Sequence, residues 1–476
     1  MSDMKIKGFL TGCLFVTSVF WGSFAFCDEL SPGDDSQNDS QKNNGAVNNT
    51  ITPGPQMSLA QVLEKADERN LSFRAAELEI AKAQAQLKKS WALVLPGIKG
   101  SLEYTRMDHE DTFDMGAALA QAGVPLPPMD PMLVNPQNQL KGIIKAGISL
   151  INLQSWLTIK AAKKGVEAAK LAVEDGRQRL LMGVALTYYY CLMNRALIDM
   201  QREQVISASK HLEVATIRHK AGAGLRIDVI RAQTDLATAK QNLNASFSMF
   251  DNARDALKTL IDTKEMPMPV EPGQINIIAD NESEMVAEAR GARFDLKSKK
   301  AMIQVQKKQL DAAWMQFVPT LDAGGQFQYQ FTQLPDLGSD DKSRWAIMFT
   351  LSVPIYNHFR YGDLDYRRAA LRQAQIEEED ASVNLGLEVR TARRNYLTAL
   401  SETDVAQQQY ALAQEGLSLV EAAYKSGAGS SLEVTTARRD FMGASVNMVA
   451  KRLVAQMKLL ELLRIMGKDM QRVISR

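Results

Sequence analysis

The side chains best suited to chemistry are few in this chain, and their spacing argues against it. Of four histidines, His211 and His219 stand eight apart in one stretch while His109 and His358 lie elsewhere. Neither spacing gathers the His, Cys and carboxylate ligands of a zinc or copper site. They are expected to be surface or packing residues. The 22 methionines invite a copper-export reading, but Met107, Met115, Met129 and Met132 fall in or beside one loop and the rest are scattered, so core filling is expected. Tyr188, Tyr189 and Tyr190 in "TYYYC" point to different faces of a helix, as packing residues between helices would. "GAGLR" at Gly222 lacks the following Lys-Ser or Lys-Thr of a phosphate loop. With no nucleophile, base or cofactor fingerprint, the chain is expected to be no enzyme and to hold no cofactor or metal.

One arrangement does recur. "HKAGAGLRIDVIRAQ" begins at His219 and "YKSGAGSSLEVTTAR" at Tyr424, about 205 residues later. Each copy has a lysine (Lys220, Lys425), a Gly-Ala-Gly break (Gly222 to Gly224, Gly427 to Gly429) and an acidic residue six positions after the first glycine (Asp228, Glu433). Glycine there suits a left-handed helix terminator, and a carboxylate in the next first turn complements a helix dipole.

Long helices must carry these breaks. All 15 prolines fall outside Gln137 to Met266 and Ile355 to Arg476, two stretches rich in Ala, Leu, Gln, Lys and Arg. The arm from Ser155 to Lys220 would be on the order of 100 Å long. Helical hairpins of coiled-coil type are therefore expected over about 155–261 and 358–467. A second correspondence precedes them: Trp91 and Pro96 match Trp314 and Pro319, each proline ending a helical segment.

Strands follow those prolines. Ile98, Leu102 and Tyr104 alternate with Lys99, Ser101 and Glu103, and Phe327, Tyr329 and Phe331 with Gln326, Gln328 and Gln330. Strands are expected at about 97–106, 141–151, 321–333 and 343–355, with loops between Arg106 and Gln139 and between Thr332 and Ser343. Such strands, flanked by Trp91, Trp156, Trp314, Trp345 and Tyr356, suit an outer-membrane barrel with interfacial aromatics. A soluble sandwich would suit them equally, but it needs a second sheet, and the remaining chain is committed to helix. Four strands cannot close a membrane barrel, whereas three chains of four would pool 12.

The totals agree with export. Lys5 and Lys7, an apolar run from Gly8 to Phe26, and Ser23 and Ala25 read as a signal peptide over 1–25. Cys27 offers lipidation as the alternative, although Phe26 before it is bulky. Only Cys191 lies in the body of the chain, which leaves no disulfide framework there. Residues 26–56 read as a polar flexible linker. With 56 Lys plus Arg against 55 Asp plus Glu, no nucleic-acid footprint is present. The body divides into a first repeat, 57–265, a linker, 266–283, and a second repeat, 284–476.

This order, together with "DVIRAQTDL", "EVTTARRDF" and "RFDL" from Arg293, resembles the TolC-like outer membrane factor family over roughly Ser58 to Met466. The resemblance implies a mainly α fold with β: a duplicated unit of helix, β-hairpin and long α-helical hairpin. Three copies would form a trimeric 12-stranded β-barrel in the outer membrane, continued by a long α-helical barrel in the periplasm. It implies the exit duct of a tripartite efflux or type I secretion system, whose partners are a periplasmic adaptor and an inner-membrane pump of RND or ABC type. Lys220, Gly222, Gly224, Lys425, Gly427 and Gly429 would then be docking tips, and Asp228 and Glu433 a periplasmic gate. Thr436 departs from the doubly acidic pattern of some relatives, so a weaker gate is expected. Arg218, Arg226, Arg231, Arg438 and Arg439 cluster near the tips, either as closing ion pairs or as solvated face. The alternative is an exported coiled-coil structural or adhesive protein without a pore, which would have no use for alternating strands beside tryptophans.

Overall fold

The computed structural model describes residues 51, 53–121, 123, 130–273, 281–332 and 341–474. The expected signal peptide, most of the 26–56 linker, and parts of the 266–283 linker and of the second strand loop lie outside them. Along the chain run β1 (Gln56–Met57), α1 (Leu59–Arg69), α2 (Leu71–Trp91), β2 (Gly97–Arg106), β3 (Asp111–Phe113), α3 (Met115–Gln121), β4 (Met132–Asn135), β5 (Asn138–Ile151), α4 (Leu153–Lys220) and α5 (Arg226–Leu260). There follow β6 (Met268–Pro269), α6 (Glu282–Ala292), α7 (Phe294–Trp314), β7 (Thr320–Gln330), β8 (Ser343–Ser352), α8 (His358–Ser426), α9 (Ser431–Ile465) and α10 (Met470–Ile474).

The duplication is visible in the lengths. Helices α1 and α6 have 11 residues each and α2 and α7 have 21. Helices α4 and α8 have 68 and 69, and α5 and α9 have 35 each. Both long helices open on an asparagine: Asn152 accepts from the Ser155 amide and Asn357 from the Phe359 amide, supplying first-turn donors with a partner. No proline interrupts either helix.

At 1.5 Å per residue α4 is about 100 Å long and α5 about half that. Helix α5 therefore covers only the tip half of α4, and α2 and α7 pack on it towards the sheet. The main core lies between these halves. There α1, α6 and the ends of α5 and α9 meet the middle of α4 (Leu181, Val184, Ala185, Tyr188, Leu192) and of α8 (Leu385, Val389, Tyr396). Each large apolar side chain buried there contributes about 1.5–3 kcal/mol. Tyr188 and Tyr189 are fully buried while Tyr190 is exposed, as three adjacent helical positions require.

The sheet has the order β2-β5-β7-β8, every pair antiparallel. Its register places Ile98, Ile144, Phe327, Tyr329, Trp345, Ile347, Phe349 and Leu351 on one face, where all remain exposed. Lys99, Glu103, Lys141, Lys145, Gln326 and Gln328 share the other.

Several sequence expectations need adjustment. Strand β5 starts at Asn138 rather than 141 because β2 supplies partners out to Arg106. Strand β8 stops at Ser352, short of 355, and Pro354 just beyond has no amide to donate. Strand β7 ends at Gln330, short of 333. The stretch from Arg106 to Gln139, expected as loop, folds on itself through the antiparallel pair β3–β4 with Leu133 buried. Strands β1 and β6 pair in parallel, tied by Tyr188: its hydroxyl donates to Met57 O at 2.9 Å and accepts from the Val270 amide at 2.9 Å.

Candidate functional site

The two glycine breaks are tight helix reversals of one design. In the first, the Ala223 amide donates to Arg218 O at 2.9 Å and the Gly222 amide to His219 O at 3.0 Å; in the second, Ala428 donates to Ala423 O at 2.9 Å and Gly427 to Tyr424 O at 3.1 Å. This is the Schellman pair of bonds that satisfies the last helical carbonyls. Gly222 and Gly427 have φ of +72° and +87°, the left-handed region that side chains avoid. Gly224 and Gly429 serve differently: a Cβ on either would stand 3.1 Å from the His219 nitrogen or 3.0 Å from the Tyr424 nitrogen. Both glycines of each break are thus fixed by backbone geometry.

The returning helices start differently. Ser430 accepts from the Glu433 amide at 3.2 Å while the Glu433 carboxylate accepts from the Ser430 amide at 2.9 Å, a capping box. Leu225 gives α5 no such cap, and Asp228 in its first turn has Arg231 at 3.9 Å. Glu433 is exposed with one oxygen engaged by backbone, and Asp228 is half-buried.

The tips interlock. Arg218 places its guanidinium carbon 4.6 Å from the Tyr424 ring centroid and donates to Tyr424 O. His211 is buried, 5.4 Å from the same ring centroid-to-centroid, with its Nε2 at 3.3 Å from Ser431 Oγ. Burial, then the nearby charge of Arg438, holds the His211 imidazole below its ordinary pKa. Arg438 is itself buried, donating to Glu421 Oε1 at 2.7 Å and to Ser207 O at 2.6 Å. Thr435 Oγ1 donates to Asp235 at 2.8 Å. Of the five arginines singled out in the sequence, Arg218 and Arg438 join the halves, Arg231 faces Asp228, and Arg226 and Arg439 are exposed. Lys220 and Lys425 are exposed at the rim. Sequence reasoning missed Tyr424, Glu421 and Asp235. The available signal was that the halves differ there: Thr216 stands where the second copy has Glu421, and Ala423 where the first has Arg218.

At the other end, the aromatics sit at two levels of the sheet. Trp91 packs edge-on against Trp156 at 5.9 Å, and Trp314 and Tyr356 lie with Phe317 and Tyr361 where strands meet helices. Trp345 pairs with Phe327 towards the opposite end of the sheet. Among the described residues, no helix is long and apolar enough to cross a membrane, and no three His, Cys, Asp or Glu side chains converge as metal ligands.

A duplicated helical hairpin with interlocked tips, carried on an outward-greasy antiparallel sheet, defines the class of TolC-like outer-membrane proteins. The chain belongs to the outer membrane efflux protein family, whose model matches residues 62–262 and 285–468; it is an outer-membrane protein. It is 22% identical over 314 residues to the probable efflux pump outer membrane protein SepC of Pseudomonas putida, a match covering 63% of this chain and 61% of that relative's length. In fold it is similar to a membrane protein from Pseudomonas aeruginosa, with TM-score 0.72 at 20% identity over 86% of this chain and 93% of that one. The Campylobacter jejuni CmeC outer membrane channel gives TM-score 0.71 at 17% identity over 86% and 85%.

Proposed function

We propose that three copies of this chain form a passive exit duct, a 12-stranded barrel continued by the helices, for a tripartite efflux or type I secretion system. The observation that carries this reading is the four-stranded sheet, whose apolar face is uncovered and whose edge strands β2 and β8 each have one side unpaired among the described residues. Such a sheet is not tolerated open in lipid and closes by pooling strands between copies. Helix α8 supports the same assembly with exposed Ile376, Val383, Leu397, Leu412 and Leu419 near heptad spacing, a seam for a neighbouring helix. Trp91, Trp156, Trp314 and Tyr356 would mark one membrane interface and Trp345 the other.

The tips are the docking surface for a periplasmic adaptor, and through it for an inner-membrane pump of RND or ABC type. Exposed Lys220 and Lys425 give the rim positive charge, and Gly222, Gly224, Gly427 and Gly429 let a partner hairpin approach backbone. Asp228 and Glu433 would form the carboxylate gate, Glu433 with half its capacity already used in capping. The duct carries no catalysis of its own, and the driving energy comes from the pump. An exported coiled-coil protein without a pore is disfavoured by the sheet.

The experiment is the native mass of protein extracted in mild detergent from purified outer membranes. A trimer is expected; monomers, or protein only in the soluble periplasmic fraction, would remove the duct. Glu433→Ala is then expected to raise resting conductance, and an unchanged conductance would take Glu433 out of the gate.

A further inference from the structure

We propose that the barrel carries an anion-binding belt, formed by Lys99 and Lys145 on the polar face, which holds solutes bearing clustered phosphate or carboxylate groups as they enter from the helical tunnel. The proposal deepens the duct reading and rests on it, since that reading turns the polar face towards the bore.

The register brings the two lysines together. Lys99 of β2 lies directly opposite Lys145 of β5, with Cβ atoms of such pairs about 4.5–5.5 Å apart. Like charges at this position destabilise a sheet, and the same strands avoid the conflict two alternations further on, where Glu103 faces Lys141. Among the described residues, no carboxylate adjoins the lysine pair in register. Gln326 stands beside Lys145, and Ala346 beside Gln326. The nearest carboxylates in register on that face, Glu103 and Asp322, lie four residues along the strands from the pair, about 13 Å at the strand rise. That exceeds the Debye length of about 8 Å at physiological salt. Both lysines are exposed.

Location gives the pair its consequence. Lys99 is the third residue of β2 and so lies beside the helical end of the sheet. Closing the barrel from three copies sets three such pairs around one level, where the duct passes from helix to strand. A ring of lysines within low-dielectric walls concentrates anions and turns away cations. The belt would therefore bias passage towards anionic solutes at a point far from the tips.

The test uses the full-length trimer in detergent, its native mass checked beforehand, titrated calorimetrically with tripolyphosphate. Saturable binding is expected in the wild type, weakened about tenfold or more in the K99Q/K145Q double variant and little changed in K141Q, whose lysine already faces Glu103. The double variant removes a repulsion, so it is expected to fold and assemble as the parent does. Absence of binding to the wild-type trimer, or undiminished binding in the double variant, overturns the belt. A monomeric native mass instead overturns the duct, which separates the two failures.

Discussion

Arg218, in the last turn of α4, and Tyr424, in the last turn of α8, bind the two helix tips to each other: the guanidinium carbon is 4.6 Å from the ring centroid, and the same group donates to the tyrosine carbonyl. A cation over an aromatic face is worth about 0.5–2 kcal/mol, and a charged donor on a carbonyl about 1.5–3 kcal/mol. A single planar group thus makes both contacts between the tips.

Arg218→Ala is therefore expected to weaken the tips locally by about 1–3 kcal/mol. Arg218→Lys should recover little, since an ammonium lacks the flat fork. Amide hydrogen exchange around Gly222 and Gly427 reads this directly. Unchanged protection at both tips would mean the contact carries no coupling.

Much of this protein is legible in its sequence, for a physical reason in each case. Proline-free stretches and matched Trp-Pro pairs announce the long helices and the strands after them because those signals are local. The alternation from Phe327 to Phe331 shows a two-sided strand. The pieces between β2 and β5 were not legible, because segments as short as β3, with three residues, form only through a partner. The two-residue strands β1 and β6 likewise depend on the distant hydroxyl of Tyr188. The interlock at the tips was hidden differently. The repeated sentence draws the eye to what the halves share, whereas Arg218, Tyr424, Glu421 and Arg438 act where the halves differ.

The glycines allow a prediction that separates two kinds of strain. Gly427→Ala forces a side chain into left-handed backbone, at a cost of about 1–2 kcal/mol. Gly429→Ala meets backbone atoms, the Tyr424 nitrogen at 3.0 Å and the Ala423 carbonyl carbon at 3.2 Å, which cannot swing away. Asparagine tolerates the left-handed region, so Gly427→Asn should recover much of the loss while Gly429→Asn should not. Equal behaviour of both asparagine variants in hydrogen exchange would contradict the distinction.

Tyr188→Phe tests the strap formed by β1 and β6. Burial pushes the Tyr188 phenol well above its ordinary range, so it stays a neutral donor at any physiological pH. Removing the hydroxyl takes one hydrogen bond from Met57 O and one from the Val270 amide, which still bond each other, at about 0.5–1.5 kcal/mol per lost bond. Limited proteolysis should cut near Pro55 or Val270 sooner in the variant, with the sheet and tips unaffected. Parent-like cleavage would show that the strap is held by its β pairing alone.

His211 makes the tips sensitive to acid. The imidazole is enclosed by Tyr424 of α8, Ser431 of α9 and its own helix, and the charges that face it are Arg438, which disfavours its proton, and Asp235, Glu421 and Asp228, which favour it. Lys210, Lys425 and Glu203 line the same cavity. Burial and Arg438 win, so the folded pKa lies below the ordinary 6.5. The sign follows from linkage: above the unfolded pKa both states are neutral and the contribution is complete. As pH falls through 6.5 and on to the folded value, the opened state takes the proton first and the closed tip loses stability. Tip amides should therefore exchange relatively faster at about pH 5.5 than at about pH 7.5 once intrinsic rates are divided out. His211→Phe keeps a ring against Tyr424 but cannot titrate, and should flatten that dependence. If the variant shows the same acid response as the parent, His211 is not its source.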